Sequence, residues 1–400
     1  MIPRSYGLLL RTPFVARALG TSLLARIGMP MGGLAVVLLV VDRTGSYASA
    51  GFISAVWVAG VGLGSLASSR LVDRGRSPRA VLLGTAVLSS TGLVVLAAVP
   101  TGSTPALAGL TALAALTAPP APPVVRALWP VLLPDAESRT AMYSLEATVQ
   151  ELVFIVGPSV AGAAAAVASP AAAVALSGVL SFLGVLSFAV TPGLDRLATG
   201  GRRRVRPVEL VPLLPLYAAG FLLICGLGWV EVGVVGAAGA AGETAVSGAL
   251  LAVWSAGSLV GGLLGGARAA RRGPARRLLV LLVAVAAAHL AVAAYQVFDG
   301  LLLLGALLVV AGALVAPALG GIYSLVQERA PAGAVAQTFA GLAVALLGGS
   351  AAGTSLAGVV VETRGPPAAF ALGAIPPALA ALVVGLALVR GRAPVSASAG

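Results

Sequence analysis

Twelve long apolar runs dominate the sequence, at residues 14–41, 48–69, 80–99, 105–128, 141–166, 170–190, 209–234, 246–267, 278–298, 301–323, 335–361 and 368–389. About 20 apolar residues in a helix span the ~30 Å hydrocarbon layer of a bilayer. Inside that layer every backbone polar group needs an internal partner, so runs of this length predict membrane-spanning helices. With 59% hydrophobic and 10% charged residues in a chain of 400, little is left beyond short loops. That composition excludes a water-soluble enzyme, a disordered chain and a disulfide-stapled fold, and the single Cys225 has no second cysteine to pair with. The expected fold is an all-α integral membrane protein with 12 transmembrane helices.

The formal net charge of +12 suggests nucleic-acid binding until the cations are located. All 25 are Arg. An even number of spans puts both termini on one side, together with the loops after spans 2, 4, 6, 8 and 10. That side carries all the arginines except Arg17, Arg26, Arg43, Arg126 and Arg364. Arg43 and Arg364 fall on the other side, and Arg17, Arg26 and Arg126 lie within spans or at their edges. Positive charge collects on cytoplasmic loops, so both termini are expected in the cytoplasm of a cell membrane protein. The basic balance then reflects topology, and no nucleic-acid partner is expected.

Arg11 and Arg17 interrupt what would be the apolar core of a signal peptide, so span 1 is expected to stay in the mature chain. Between spans 6 and 7, residues 191–208 hold Arg202, Arg203, Arg204 and Arg206 among Gly and Pro, the composition of a solvated linker. The expected organisation is a six-helix bundle at 1–190, the linker at 191–208, a second bundle at 209–390 and a cytoplasmic tail at 391–400.

The two halves repeat. An offset of 197 lays Gly51–Arg79 over Gly248–Arg276 with 10 of 29 positions identical. Trp57 falls on Trp254, Arg74 on Arg271 and Arg79 on Arg276, within a shared AVWxAG string. An offset of 196 lays Gly157-Pro158-Ser159-Val160-Ala161-Gly162 over Gly353-Thr354-Ser355-Leu356-Ala357-Gly358, pairing span 5 with span 11. Matching spans of equal sidedness predict a parallel pseudo-twofold repeat about the membrane normal, with a solute path between the halves.

The loop after span 2 reads Ser69-Arg70-Leu71-Val72-Asp73-Arg74-Gly75-Arg76. It resembles the G-x-L-A-D-R-x-G-R-R motif of the major facilitator superfamily, with Ser69 for the first Gly and Gly75 one residue early. The resemblance extends through the twelve spans, linker and repeat. It implies that Asp73, with Arg74 beside it, gates the cytoplasmic side by meeting the N-terminal end of span 11. The second copy has Ala270 in place of the Asp. Span 5 is also similar to that of the drug/proton antiporter branch in Gly157-Pro158-x-x-Ala161-Gly162. That branch bears an Arg within span 4, where this chain has Arg126 at the cytoplasmic end.

Ionised groups inside hydrocarbon cost about 2.5–3.5 kcal/mol each on insertion scales, so those present call for a role. Arg26 in span 1 and Glu151 in span 5 both fall near the midplane and can pair. A carboxylate that exchanges such a partner for a proton can couple proton movement to a conformational change. At 100° per residue, Tyr143, Glu146, Gln150 and Gly157 lie within about 60° of one another, while Glu151 points about 140° from Glu146. Two readings of this stripe stand. Either it lines the central cavity, with Tyr143 and Gln150 binding substrate and Glu146 or Glu151 titrating, or its members satisfy one another at helix contacts, as Glu146 and Gln150 can at i,i+4. Glu231, near the outer end of span 7, either couples or reaches the headgroups, and Arg26 can instead bind a substrate carboxylate. His289 in span 9 is read as packing more readily than as a proton relay. Pro119, Pro120, Pro122 and Pro123 must interrupt span 4, as a static bend or a gating hinge. Gly157, Gly162, Gly353 and Gly358 are expected to bring spans 5 and 11 close to their neighbours.

The reading that joins these features is a secondary transporter of a small organic solute by alternating access, as proton-coupled efflux or, alternatively, uptake of a metabolite. It is expected to act as a monomer, with protons as the coupling ion and without cofactor or metal. A membrane enzyme needs clustered nucleophiles, acids or metal ligands, which one His, one Cys and no D-x-D motif do not supply. A non-transporting sensor would add a soluble signalling segment, and an ATP-driven pump a G-x-x-x-x-G-K-[ST] loop.

Overall fold

The computed structural model describes Leu9 and residues 11–199, 207–242, 246–266, 274–293 and 300–390. The Arg-rich centre of the linker, Ala270 and Arg271 of the second loop motif, and the tail lie outside the described residues, as does the side chain of Glu151. Among the described residues, 12 helices are long and apolar enough to cross a membrane. They are Val15–Thr44, Ser49–Asp73, Pro78–Ala98, Thr104–Leu132, Ala136–Val167, Pro170–Ala189, Glu209–Ala240, Val246–Leu264, Pro274–Ala293, Leu301–Arg329, Val335–Arg364 and Pro366–Val389. The protein is thus an all-helical, multi-pass membrane protein.

Several helices outrun the apolar stretches that announced them, because hydropathy marks the hydrocarbon layer whereas capping groups mark the helix end. Span 5 begins at Ala136, five residues before its apolar run, because Asp135 accepts the backbone N–H of Ser138 at 2.7 Å as N-cap. Ser77 and Ser169 cap spans 3 and 6 in the same way, each followed by a Pro in the first turn. Span 2 ends in a glycine-terminated turn. Gly75, at φ 82°, donates to Val72, and Arg76 donates back to Leu71. This pair of bonds requires a left-handed residue just past the helix, which is where the loop motif places its glycine.

Span 4 is broken as the four prolines predict, into Thr104–Leu116 and Ala121–Leu132. Pro122 and Pro123 sit in the first turn of the second piece, where a missing N–H breaks no helical bond. Span 10 is also broken, into Leu301–Gly312 and Val315–Arg329, a break the apolar pattern does not reveal. Adding 197 to Thr117 gives Leu314, so both interruptions fall at the same point of the repeat.

The chain forms two compact units. One comprises Met1–Met142, Thr148–Leu210 and Ala330–Val344; the other comprises Tyr143–Ala147, Val211–Arg329 and Ala345–Gly400. In the first, span 1 packs on span 6, span 6 on span 3, and span 2 on the first piece of span 4. In the second, span 7 packs on span 12, span 12 on span 9, and span 8 on the first piece of span 10. These are the same pairings six spans on.

Glycine sets the closest of these contacts in both units. A Cβ on Gly60 or Gly64 would strike Ala115 or the Leu116 carbonyl, and one on Gly257 or Gly261 would strike the carbonyls of Val309 or Ala313. Gly60 and Gly257, like Gly64 and Gly261, are equivalent under the 197 offset. Gly157 sits against Pro30 and Met31 of span 1, and its counterpart Gly353 against the Cys225 carbonyl of span 7. Small residues substitute for a hydrophobic driving force where lipid is as apolar as the helices. Gly162 and Gly358 do not share this role, since both face open space. Five residues, about 1.4 turns, beyond Gly157 and Gly353, they point away from the neighbouring helix.

Candidate functional site

Three helices of the first unit converge on one amide. Arg126, in the second piece of span 4, donates from Nη2 to Oε1 of Gln150 at 2.9 Å. Arg26 of span 1 approaches the same Oε1 through Nη1 at a longer 3.5 Å. Both arginines are buried, at 5% exposure for Arg26 and 2% for Arg126, whereas Gln150 keeps partial exposure. The Arg126 guanidinium also lies over the Phe339 ring, 5.7 Å from its centroid. That is within cation–π range, where removal from water strengthens the attraction.

The sequence reading placed Arg126 at the end of span 4 and gave it no role. The helix runs on through Trp129 and Pro130 to Leu132, which sets Arg126 six residues inside the span, about 9 Å from its end. The signal was available in the apolar run Ala127–Leu133, broken only by Pro130. Pro130 is accommodated inside the helix.

A second group lies at the start of span 11. Oδ2 of Asp73 accepts the backbone N–H of Gln337 at 2.6 Å. Span 11 begins at Val335, after Ala334, which has no side-chain oxygen with which to cap it. Asp73 therefore supplies from another helix the acceptor that the local sequence lacks, and its negative charge meets a helix N-terminus. The turn at Gly75 stops span 2 after Asp73 and so fixes where this carboxylate stands. Arg74, next to it, is exposed.

The remaining candidates separate. Tyr143 and Glu146 are fully buried and belong to the second unit, where Gly320 of span 10 comes against Ser144; a Cβ there would lie 2.8 Å from the Ser144 Cα. Gln150 and Gly157 belong to the first unit. The stripe read from helical spacing is thus divided after Ala147. Glu231 is exposed and lies nine residues before Ala240, about 14 Å along the helix from its last residue. His289 is buried, with Nδ1 2.7 Å from the Val285 carbonyl and Nε2 3.2 Å from that of Gly226. It ties span 9 to span 7. Among the described residues, no group of His, Cys, Asp and Glu is placed to hold a metal ion.

The model of the family described as Major Facilitator Superfamily matches residues 18–354. No curated protein matches the chain by sequence. Solved structures of the same fold include a bacterial homologue of the iron transporter ferroportin in an outward-facing state, at 14% identity and TM-score 0.71 over 93% of this chain and 100% of that one. The E. coli fucose:proton symporter FucP is similar at 14% identity and TM-score 0.69 over 94% and 99% of the two chains. The human organic anion transporter MFSD10 (TETRAN) is similar at 16% identity and TM-score 0.64 over 93% and 99%. At such identities the likeness is one of fold.

Proposed function

The chain belongs to the major facilitator superfamily, and from that premise we propose that it exports a small organic solute in exchange for protons, by alternating access of its two halves. The observation that carries this reading is the meeting of Arg26 and Arg126 on Gln150 inside membrane-spanning helices. Polar residues so costly to insert mark a solute or ion path more often than a packing site. In this reading Gln150 and the two arginines face the solute, while Glu151 on the next position of span 5 exchanges a proton. Tyr143, Glu146 and Glu231 are further polar points along the second unit's part of the route.

Asp73 and Arg74 form the gate. Asp73 holds the first turn of span 11 when that end is closed and releases it when the end opens. The arginine asymmetry of the loops supports a cell-membrane protein with both termini in the cytoplasm.

Proteoliposomes with an imposed pH gradient test the reading. A drug and metabolite panel should yield a solute whose flux follows the gradient, with accumulation falling in cells that express the protein. Glu151→Gln should abolish that flux in a folded protein. Flux indifferent to the gradient would remove proton coupling, and higher accumulation in expressing cells would establish uptake instead.

A further inference from the structure

We propose that Phe339 is a positioning residue of the gate: its ring receives the buried Arg126 guanidinium and gives the start of span 11 a second hold beside Asp73, through which Gln150 acts on that end of the helix. This rests on the gate reading above. Span 11 begins at Val335. Asp73 takes the backbone N–H of Gln337 in its first turn at 2.6 Å, and Arg126 lies over the ring of Phe339 at the start of its second, 5.7 Å from the centroid. One hold comes from span 2 and the other from span 4, and Asp73, Arg126, Gln150 and Phe339 all belong to the first compact unit. One grips a backbone donor and the other a side chain, so either can persist when the other is lost.

Burial gives the second hold its weight. Phe339 is fully buried and Arg126 is 2% exposed. The pull of an aromatic face on a cation strengthens when both are out of water. The same guanidinium donates from Nη2 to Oε1 of Gln150 at 2.9 Å. It is a rigid plane, so it cannot turn toward Gln150 without moving over the ring. The repeat singles out this set of residues. An offset of 197 takes Arg126 to Tyr323, and an offset of 196 takes Tyr143 to Phe339. Tyr143 and Tyr323 are both fully buried and both belong to the second unit. The positions equivalent to Arg126 and Phe339 are thus both tyrosines, and of the two sets only the first unit's contains a cation. That charge is what lets a polar change on span 5 reach the start of span 11.

The test is the rate at which a cysteine at Ala336 reacts with a water-soluble maleimide, in the purified full-length protein carrying Cys225→Ala. Phe339 is replaced by Leu and, separately, by progressively fluorinated phenylalanine, in which fluorine draws electron density from the ring face and leaves its shape nearly unchanged. Labelling is expected to rise stepwise along the fluorinated series and by about ten-fold in Phe339→Leu. The series should be flat in an Arg126→Gln background, a comparison that isolates the pair whatever else Arg126 touches. Gln150→Ala should alter the rate with the Phe339 ring in place and leave it unaltered in Phe339→Leu. Thermal unfolding is followed in every variant, and the fluorinated series, which takes no atom out of the core, keeps the test decisive where Arg126→Gln fails to fold. A flat series with Arg126 present would overturn the proposal, and so would a slope that survives Arg126→Gln. A Gln150→Ala effect that is absent, or that persists without the ring, would overturn the link to Gln150. If Asp73→Asn leaves labelling unchanged while the series still rises, the gate reading fails at Asp73 and the second hold stands; the reverse result sinks the second hold alone.

Discussion

Asp73 caps a helix that begins 262 positions further along the chain: its Oδ2 lies 2.6 Å from the backbone nitrogen of Gln337, in the first turn after Val335. Capping is normally a local matter, settled by the residue before the helix. Here that residue is Ala334, and the acceptor comes from the last turn of span 2. There the carboxylate is disfavoured by its own helix's negative end, and it is compensated by the positive end of span 11.

Asp73→Asn keeps the shape of the side chain and removes the charge that strengthens this bond. About 1 kcal/mol of stabilisation of the turn should be lost, the usual scale for a helix cap. A cysteine introduced at Ala336 should then react faster with a water-soluble maleimide than it does beside Asp73. Equal labelling rates in the two backgrounds would remove the gating role.

Gly64 and Gly261 occupy equivalent points of the repeat, and a Cβ on either would run into a carbonyl of the neighbouring helix. Backbone cannot step aside as a side chain can, so Gly64→Ala and Gly261→Ala should each destabilise by about 1–3 kcal/mol or more. Gly51 and Gly248 are matched by the same offset but have nothing within 4 Å of a built Cβ. Alanine at either should leave the unfolding temperature unchanged within error. The contrast between the pairs, measured by thermal unfolding in detergent, separates packing from a general intolerance of alanine.

Asp135 is exposed and caps span 5, and the backbone N–H of Ser138 holds its carboxyl below the usual carboxylate range. A lowered folded value means that the ionised cap contributes stability above the ordinary carboxylate pKa and loses it as pH falls through the lowered value. Solvent screening keeps the effect small. Asp135→Ala should lower stability near neutral pH and flatten the acid limb of the unfolding profile, whereas Asp135→Asn should retain the cap and still flatten that limb. An acid limb identical to wild type in both variants would assign the pH response elsewhere.

His289 reaches the Val285 carbonyl of its own helix and the Gly226 carbonyl of span 7. His289→Ala removes both contacts, only the second of which joins two helices, and opens a cavity, so a loss of about 2–4 kcal/mol is expected by analogy with other large-to-small core changes. The pH dependence of flux in whatever protein still folds should match wild type. A shifted pH profile would make the imidazole part of a proton route after all.

Much of the fold was legible because hydrocarbon imposes a one-dimensional rule. Every span must be long, apolar and helical, so the number of crossings, the proline break in span 4 and the repeat can all be counted along the chain. Helix ends were read less well, since capping by Asp135 and the turn at Gly75 lie in polar flanks that hydropathy does not register. The misplaced end of span 4 hid Arg126, and the helix of span 7 runs on to Ala240, nine residues past Glu231.

The sequence by itself determined that this is a twelve-span protein of two related halves, with costly polar groups on spans 1, 5 and 7. It also pointed to Asp73 and the start of span 11, through the resemblance its loop motif carries. Which polar groups meet was decided only by tertiary structure. Helical periodicity orders the residues around one axis but says nothing of the rotation of one helix against another. The stripe Tyr143–Glu146–Gln150 therefore looked like a single surface, yet packing assigns its first two members to one unit and Gln150 to the other. The same rotation brought Arg126 and Arg26 onto one oxygen, 100 residues apart in the chain and invisible to any spacing rule.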